Sequence, residues 1–254
     1  MQDVRTDKSA WIEVGLLFVP AIPALLWVWP GLHDEGLTYL AQSLAYVYFF
    51  CGSLVIGLRR WTWAELGLNW QGMGLGLVCG GIIVIERFLA QIAFGFPLEF
   101  RAIDPVRLIV EIGFYFGLVG LVEEMLFRGL IFRMLESTHG AGLAIFGSAL
   151  GFALWHVGWA GSLMVGHFLI GIVFGLVRWR ARGLGGLVLV HGLFDVIGVE
   201  MPFPIAMNGI EQALGLTVVN PWAVIVGDAL LVGLFAYLWL IQPRLHWGKQ
   251  WRSS

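Results

Sequence analysis

Residues 122–129 read VEEMLFRG and lie inside an apolar stretch that runs from about 109 to 135. Ionisable side chains in such a stretch are costly and mark function more often than decoration. Glu124 and Arg128 stand four apart, so on a helix they share a face and pair. Glu123 is rotated by about 100° from Glu124 and keeps a carboxylate with no partner on its own helix. Burying it in that state costs several kcal/mol unless it is protonated or wetted. Further along, His156, His167, His191 and Asp195 also fall in apolar segments. His191 and Asp195 again stand four apart, on one helix face. His167 reads as a helix-bridging hydrogen bond. His156 and His191 differ, because counting ~1.5 Å per residue from the cytoplasmic ends puts them at depths of ~22 Å and ~10 Å, against ~18 Å for Glu123. An acid and two imidazoles at overlapping depth suit hydrolysis. The glutamate takes a proton from water, and the imidazoles orient that water, protonate a leaving amine or stabilise an oxyanion. The same groups are also the ligand types of a zinc site.

The elements that must position these groups are transmembrane helices. Of 254 residues, 59% are hydrophobic and only 13% charged, with a mean hydropathy of +0.83; soluble domains carry about 25% charged residues. This apolar excess implies a multi-pass helical bundle embedded in a lipid bilayer. Thirteen Trp and 35 Gly fit, since Trp collects at membrane interfaces and Gly permits close helix approach. A net charge of -2 excludes a nucleic-acid partner. Cys51 and Cys79, both in apolar segments, point to neither a disulfide nor a Cys-based zinc site.

Eight apolar segments are expected to span, at about 11–31, 39–58, 73–96, 107–135, 141–158, 161–179, 184–200 and 221–242. The first is read as a retained span, kinked at Pro20 and Pro23. Arg5 and Lys8, Arg59 and Arg60, Arg178, Arg180 and Arg182, and Arg244, Lys249 and Arg252 flank alternate ends, so both termini are expected in the cytoplasm; the exception is the loop between the third and fourth segments, where Arg101 and Arg107 are offset by Glu99 and Asp104. Trp61, Trp63, Trp247 and Trp251 would mark that interface. The chain reads as one membrane domain over 1–254 with its chemistry within about 107–200. No internal repeat is evident, which disfavours a transporter; the mid-span pair Glu86 and Arg87 is the one feature such a reading would use.

Three motifs follow in order: Glu123-Glu124-x-x-x-Arg128, Phe152-x-x-x-His156 and His191-x-x-x-Asp195. Together, from Val122 to Val199, they resemble the CPBP family of intramembrane glutamic endopeptidases, which includes the type II CAAX prenyl proteases and the bacterial Abi proteins. The Phe168-x-x-Gly171-x-x-x-Gly175 stretch between them resembles the family's glycine-bearing helix. The resemblance implies that Glu123 activates water and His156 holds or polarises it. It implies that His191 and Asp195 stabilise the oxyanion, while Glu124, Arg128 and Phe152 support the site. It also implies a reaction without metal or cofactor, on membrane-associated protein or peptide substrates, in a chain whose small size fits a bacterial cell membrane. Prenyl proteases often carry Asn at the last position; here Asp195, when ionised, has no donor. The expectation is that Asp195 binds His191 and holds it cationic, as the carboxylate of a triad orients its imidazole. This departure weakens the analogy to prenylated substrates. HExxH, GxSG and GxGD motifs are absent, which sets aside other intramembrane protease types. A non-catalytic membrane adaptor or bacteriocin-immunity-type protein of the same fold is the alternative. The oligomeric state is not legible.

Overall fold

A run of buried side chains around Glu124 identifies the helix on which the rest of the chain is arranged. The computed structural model describes residues 8–20, 35–93, 105–156, 164–200, 227 and 229–234. Helix α1 is Lys8–Phe18, α2 is Glu35–Leu58 and α3 is Met73–Ala93. Helix α4 runs continuously over 105–139, in five pieces. Pro105–Phe114, Leu121–Glu123 and Phe132–His139 are α-helical, while Tyr115–Gly120 and Glu124–Ile131 are wider π-helical turns. Helices α5, Ala141–Trp155, α6, Met164–Ala181, and α7, Gly185–Glu200, complete the set. No strand occurs among the described residues.

Every residue of Glu124–Ile131 is buried. Helices α2, α5 and α6 pack against this segment, and α7 packs against the first π-helical piece and against α3. A helix hydrophobic all round belongs at the centre of a bundle, and this one carries its charges there too. After His139 the chain reverses at Gly140, whose φ of 86° is open to glycine at no steric cost, and α5 returns along α4. The expected Gly171-x-x-x-Gly175 packing is present. A Cβ on Gly171 would stand 2.9 Å from the Ala149 Cα, and one on Gly175 would stand 3.2 Å from the Ile145 Cα. Small residues thus let α6 lie directly on the α5 backbone.

Lengths differ from expectation in places. Helix α1 ends at Phe18, two residues before Pro20, and the chain past Pro20, where the expected kink would continue the span, lies outside the described residues. Pro disfavours helical backbone at the residue before it. Pro23, Arg101, Asp104, most of the expected eighth span and both termini lie outside the described residues, as does the Arg87 side chain. Leu40–Leu58 is long and apolar enough to cross a membrane. Ser9–Phe18, Met73–Glu86, Ala141–Trp155 and Gly185–Val196 are shorter apolar helices.

The turn between α2 and α3 ties one end of the bundle together. Thr62 and Glu65 form a capping box: the Thr62 N–H and hydroxyl donate to Glu65 Oε2, and the Glu65 N–H donates back to Thr62 Oγ1. Arg133 of α4 donates to Glu65 Oε1 at 3.0 Å and to Glu136 at 3.1 Å, and Arg182 reaches Glu136 at 3.3 Å. Partial burial opposes ionisation of Glu65, but the bonds from Thr62 and Arg133 outweigh it and hold the carboxyl below its usual range. A group depressed on folding stabilises above its unfolded pKa, and that contribution is lost as pH falls through the folded value. Glu65→Gln is therefore expected to lower the thermal midpoint at neutral pH. The gap from wild type should close as the buffer is taken below about pH 4.5, which a pH series of melts in detergent would read.

Candidate active site

Glu123 closes the α-helical piece Leu121–Glu123, and Glu124 opens the second π-helical turn. The two carboxylates therefore leave α4 in different directions. Glu124 keeps the expected local pair: Arg128 Nη1 donates to Glu124 Oε1 at 3.1 Å, both side chains fully buried. The same oxygen accepts from His191 Nδ1 at 2.8 Å. A carboxylate only accepts, so Nδ1 carries the proton and Nε2 faces the other way.

Glu123 is 2% exposed and is not without partners. Its Oε1 accepts from the Tyr46 hydroxyl of α2 at 2.8 Å and from Trp155 Nε1 of α5 at 3.1 Å. Its Oε2 has no hydrogen-bond partner among the described residues. That oxygen faces His156 Nε2 at 3.8 Å and His191 Nε2 at 3.6 Å, while Asp195 Oδ2 stands 3.7 Å from the same His191 nitrogen. Such separations exceed a direct hydrogen bond, so these groups face one another without bonding directly.

His156 lies one residue past the end of α5, and its Nδ1 donates to the Phe152 carbonyl at 2.8 Å. With Nδ1 protonated, the neutral ring presents a lone pair at Nε2, toward Glu123. The His167 ring of α6 stacks on His156, with centroids 4.2 Å apart and planes 19° from parallel. Phe152 sits beneath the cluster. Its ring lies edge-on to Phe127 and His191, and the Arg128 guanidinium caps it at 4.2 Å.

The structure thus brings Glu123, His156, His191 and Asp195 to one place, with Glu124, Arg128 and Phe152 immediately behind. Two readings change. The carboxylate that bonds His191 and sets its tautomer is Glu124, at 2.8 Å to Nδ1; Asp195, at 3.7 Å from Nε2, makes no hydrogen bond to it. Glu123 gains two donors, Tyr46 and Trp155, that no spacing pattern predicts because they come from other helices. His167, read from the sequence as a helix-bridging residue, also lies against the cluster through its stacking on His156. Among the described residues, no three His, Cys, Asp or Glu side chains are arranged to hold a metal ion.

A comparison with curated proteins finds no match. A comparison with family models matches residues 105–197 to the Rce1-like type II CAAX prenyl endopeptidases, a membrane-embedded peptidase family. That interval holds α4 to α6, most of α7 and all three motifs. The chain therefore carries an Rce1-like type II CAAX prenyl endopeptidase domain over 105–197, consistent with a CPBP family intramembrane protease.

Proposed function

We propose that the protein is a multi-pass intramembrane endopeptidase that hydrolyses peptide bonds of membrane-associated proteins or peptides with a water activated by Glu123. The observation that carries this reading is the asymmetry of Glu123. One oxygen is bonded twice, and the other faces two imidazole nitrogens at 3.6 and 3.8 Å. Glu124 Oε2 also lacks a hydrogen-bond partner among the described residues, so what sets Glu123 apart is the pair of imidazole nitrogens that face its open oxygen.

In the proposed reaction a water held between Glu123 Oε2 and His156 Nε2 gives a proton to Glu123 as its oxygen attacks the substrate carbonyl. The new C–O bond places negative charge on the carbonyl oxygen. His191, doubly protonated and anchored through Nδ1 to Glu124, donates Nε2–H to that charge, with Asp195 as counter-charge on the same side. Collapse breaks the C–N bond, and the leaving nitrogen takes the proton from Glu123.

The test is cleavage of a C-terminal membrane-anchored peptide by the purified chain in proteoliposomes, using prenylated and unprenylated versions of one sequence. Cleavage is expected, and comparing the two versions shows whether the lipid is recognised. Incubation with EDTA or phenanthroline is expected to leave the rate unchanged. A loss restored by zinc would replace the glutamate-water reading with a metalloenzyme. A wild-type chain that binds such peptides and leaves every one intact would favour the adaptor.

A further inference from the structure

We infer that Tyr46 and Trp155 are positioning residues that select which oxygen of Glu123 acts as the base. This rests on the hydrolytic reading and extends it beyond the domain that matches the family, because Tyr46 belongs to α2, ahead of residue 105. Both donors converge on Oε1, at 2.8 and 3.1 Å. A carboxylate oxygen that already accepts two hydrogen bonds is a poor proton acceptor, so proton affinity is directed to Oε2. The same two bonds fix the carboxylate plane, which aims Oε2 at the imidazole nitrogens of His156 and His191.

Each donor is itself held. The Trp155 indole is edge-on to Phe49 at 4.9 Å, to Phe18 at 6.0 Å and to Phe127 at 6.2 Å, so α1, α2 and α4 all constrain it. Tyr46 is edge-on to Phe114 of α4 at 6.2 Å. Aromatic rings locked this way present one polar atom in one direction. The donors come from different helices, Tyr46 from α2 and Trp155 from α5, so neither helix alone sets the carboxylate.

Tyr46→Phe removes one oxygen and keeps the ring. It is expected to lower kcat about 10-fold with KM unchanged and an unchanged thermal midpoint. Trp155→Phe should do the same, and the double variant should lower kcat further but depart from the product of the two single effects, because the two bonds act on one carboxylate. Wild-type kcat in Tyr46→Phe, in a preparation where Glu123→Gln is inactive, overturns this inference and leaves the base assignment standing. A raised KM with a lowered melting midpoint also overturns it, since that pattern marks a packing role. Activity in Glu123→Gln overturns the hydrolytic reading and this inference with it.

Discussion

Glu123→Gln is expected to fold and insert like the wild type and to cleave at least about 1,000-fold more slowly. Loss of a general base accounts for roughly 10²–10⁴ in rate, and here the base also holds the attacking water. The substitution is nearly isosteric. The amide oxygen of Gln still accepts from Tyr46 and Trp155, which are 2.8 and 3.1 Å from Glu123 Oε1. Its NH₂ then occupies the position of Oε2, where it donates toward His156 Nε2 and takes up no proton. Fold and chemistry are thereby separated: the melting midpoint should remain near that of wild type while turnover disappears. Single-turnover cleavage with anchored peptide, measured beside a thermal melt, reads both. Turnover at the wild-type rate would remove Glu123 from the mechanism.

Local spacing made half of this site legible and concealed the rest. The Glu124–Arg128 pair sits four residues apart on one helix, and it forms at 3.1 Å even though that stretch is π-helical. His191 and Asp195, also four apart, do share a face, yet at 3.7 Å they are neighbours and not a hydrogen-bonded pair. Which helix faces which is decided by packing. Gly76 allows α3 to meet α7 so closely that a Cβ there would stand 2.8 Å from the Gly186 Cα. Such contacts set the rotation of α7 and bring His191 to Glu124, and nothing in the spacing of either motif contains that rotation. The partners of Glu123 were hidden for the same reason. Tyr46 is 77 residues away, and a tyrosine in an apolar segment has many uses. Trp155 had a faint signal: its ring carries a donor that must be satisfied when buried, and it directly precedes a candidate histidine. The role of Glu123 was readable only in part, because an acid with no local partner is recognisable in a sequence whereas its remote partners are not.

Arg128→Met is expected to be the most destabilising single change in the site, by about 3–5 kcal/mol, the range for breaking a buried ion pair by removing one partner. Arg128 and Glu124 are both fully buried and 3.1 Å apart. The guanidinium also lies over Phe152 at 4.2 Å and Phe174 at 5.3 Å, the two rings that pack edge-on to His191. Removing the charge leaves Glu124 with His191 alone to balance it and strips a cation from two aromatic faces. The double variant Glu124→Gln/Arg128→Met should regain much of the loss, because exchanging a whole buried pair for neutral groups is often close to neutral. Activity should not return with stability. Glu124 Oε1 is the acceptor that holds His191 Nδ1 at 2.8 Å, and a neutral amide supplies no counter-charge to a protonated imidazole. Stability recovered without turnover would identify Glu124 as the group that orients His191. Turnover recovered in step with the melting midpoint would make the pair a packing device alone. Unfolding in a detergent titration beside the peptide assay distinguishes the two.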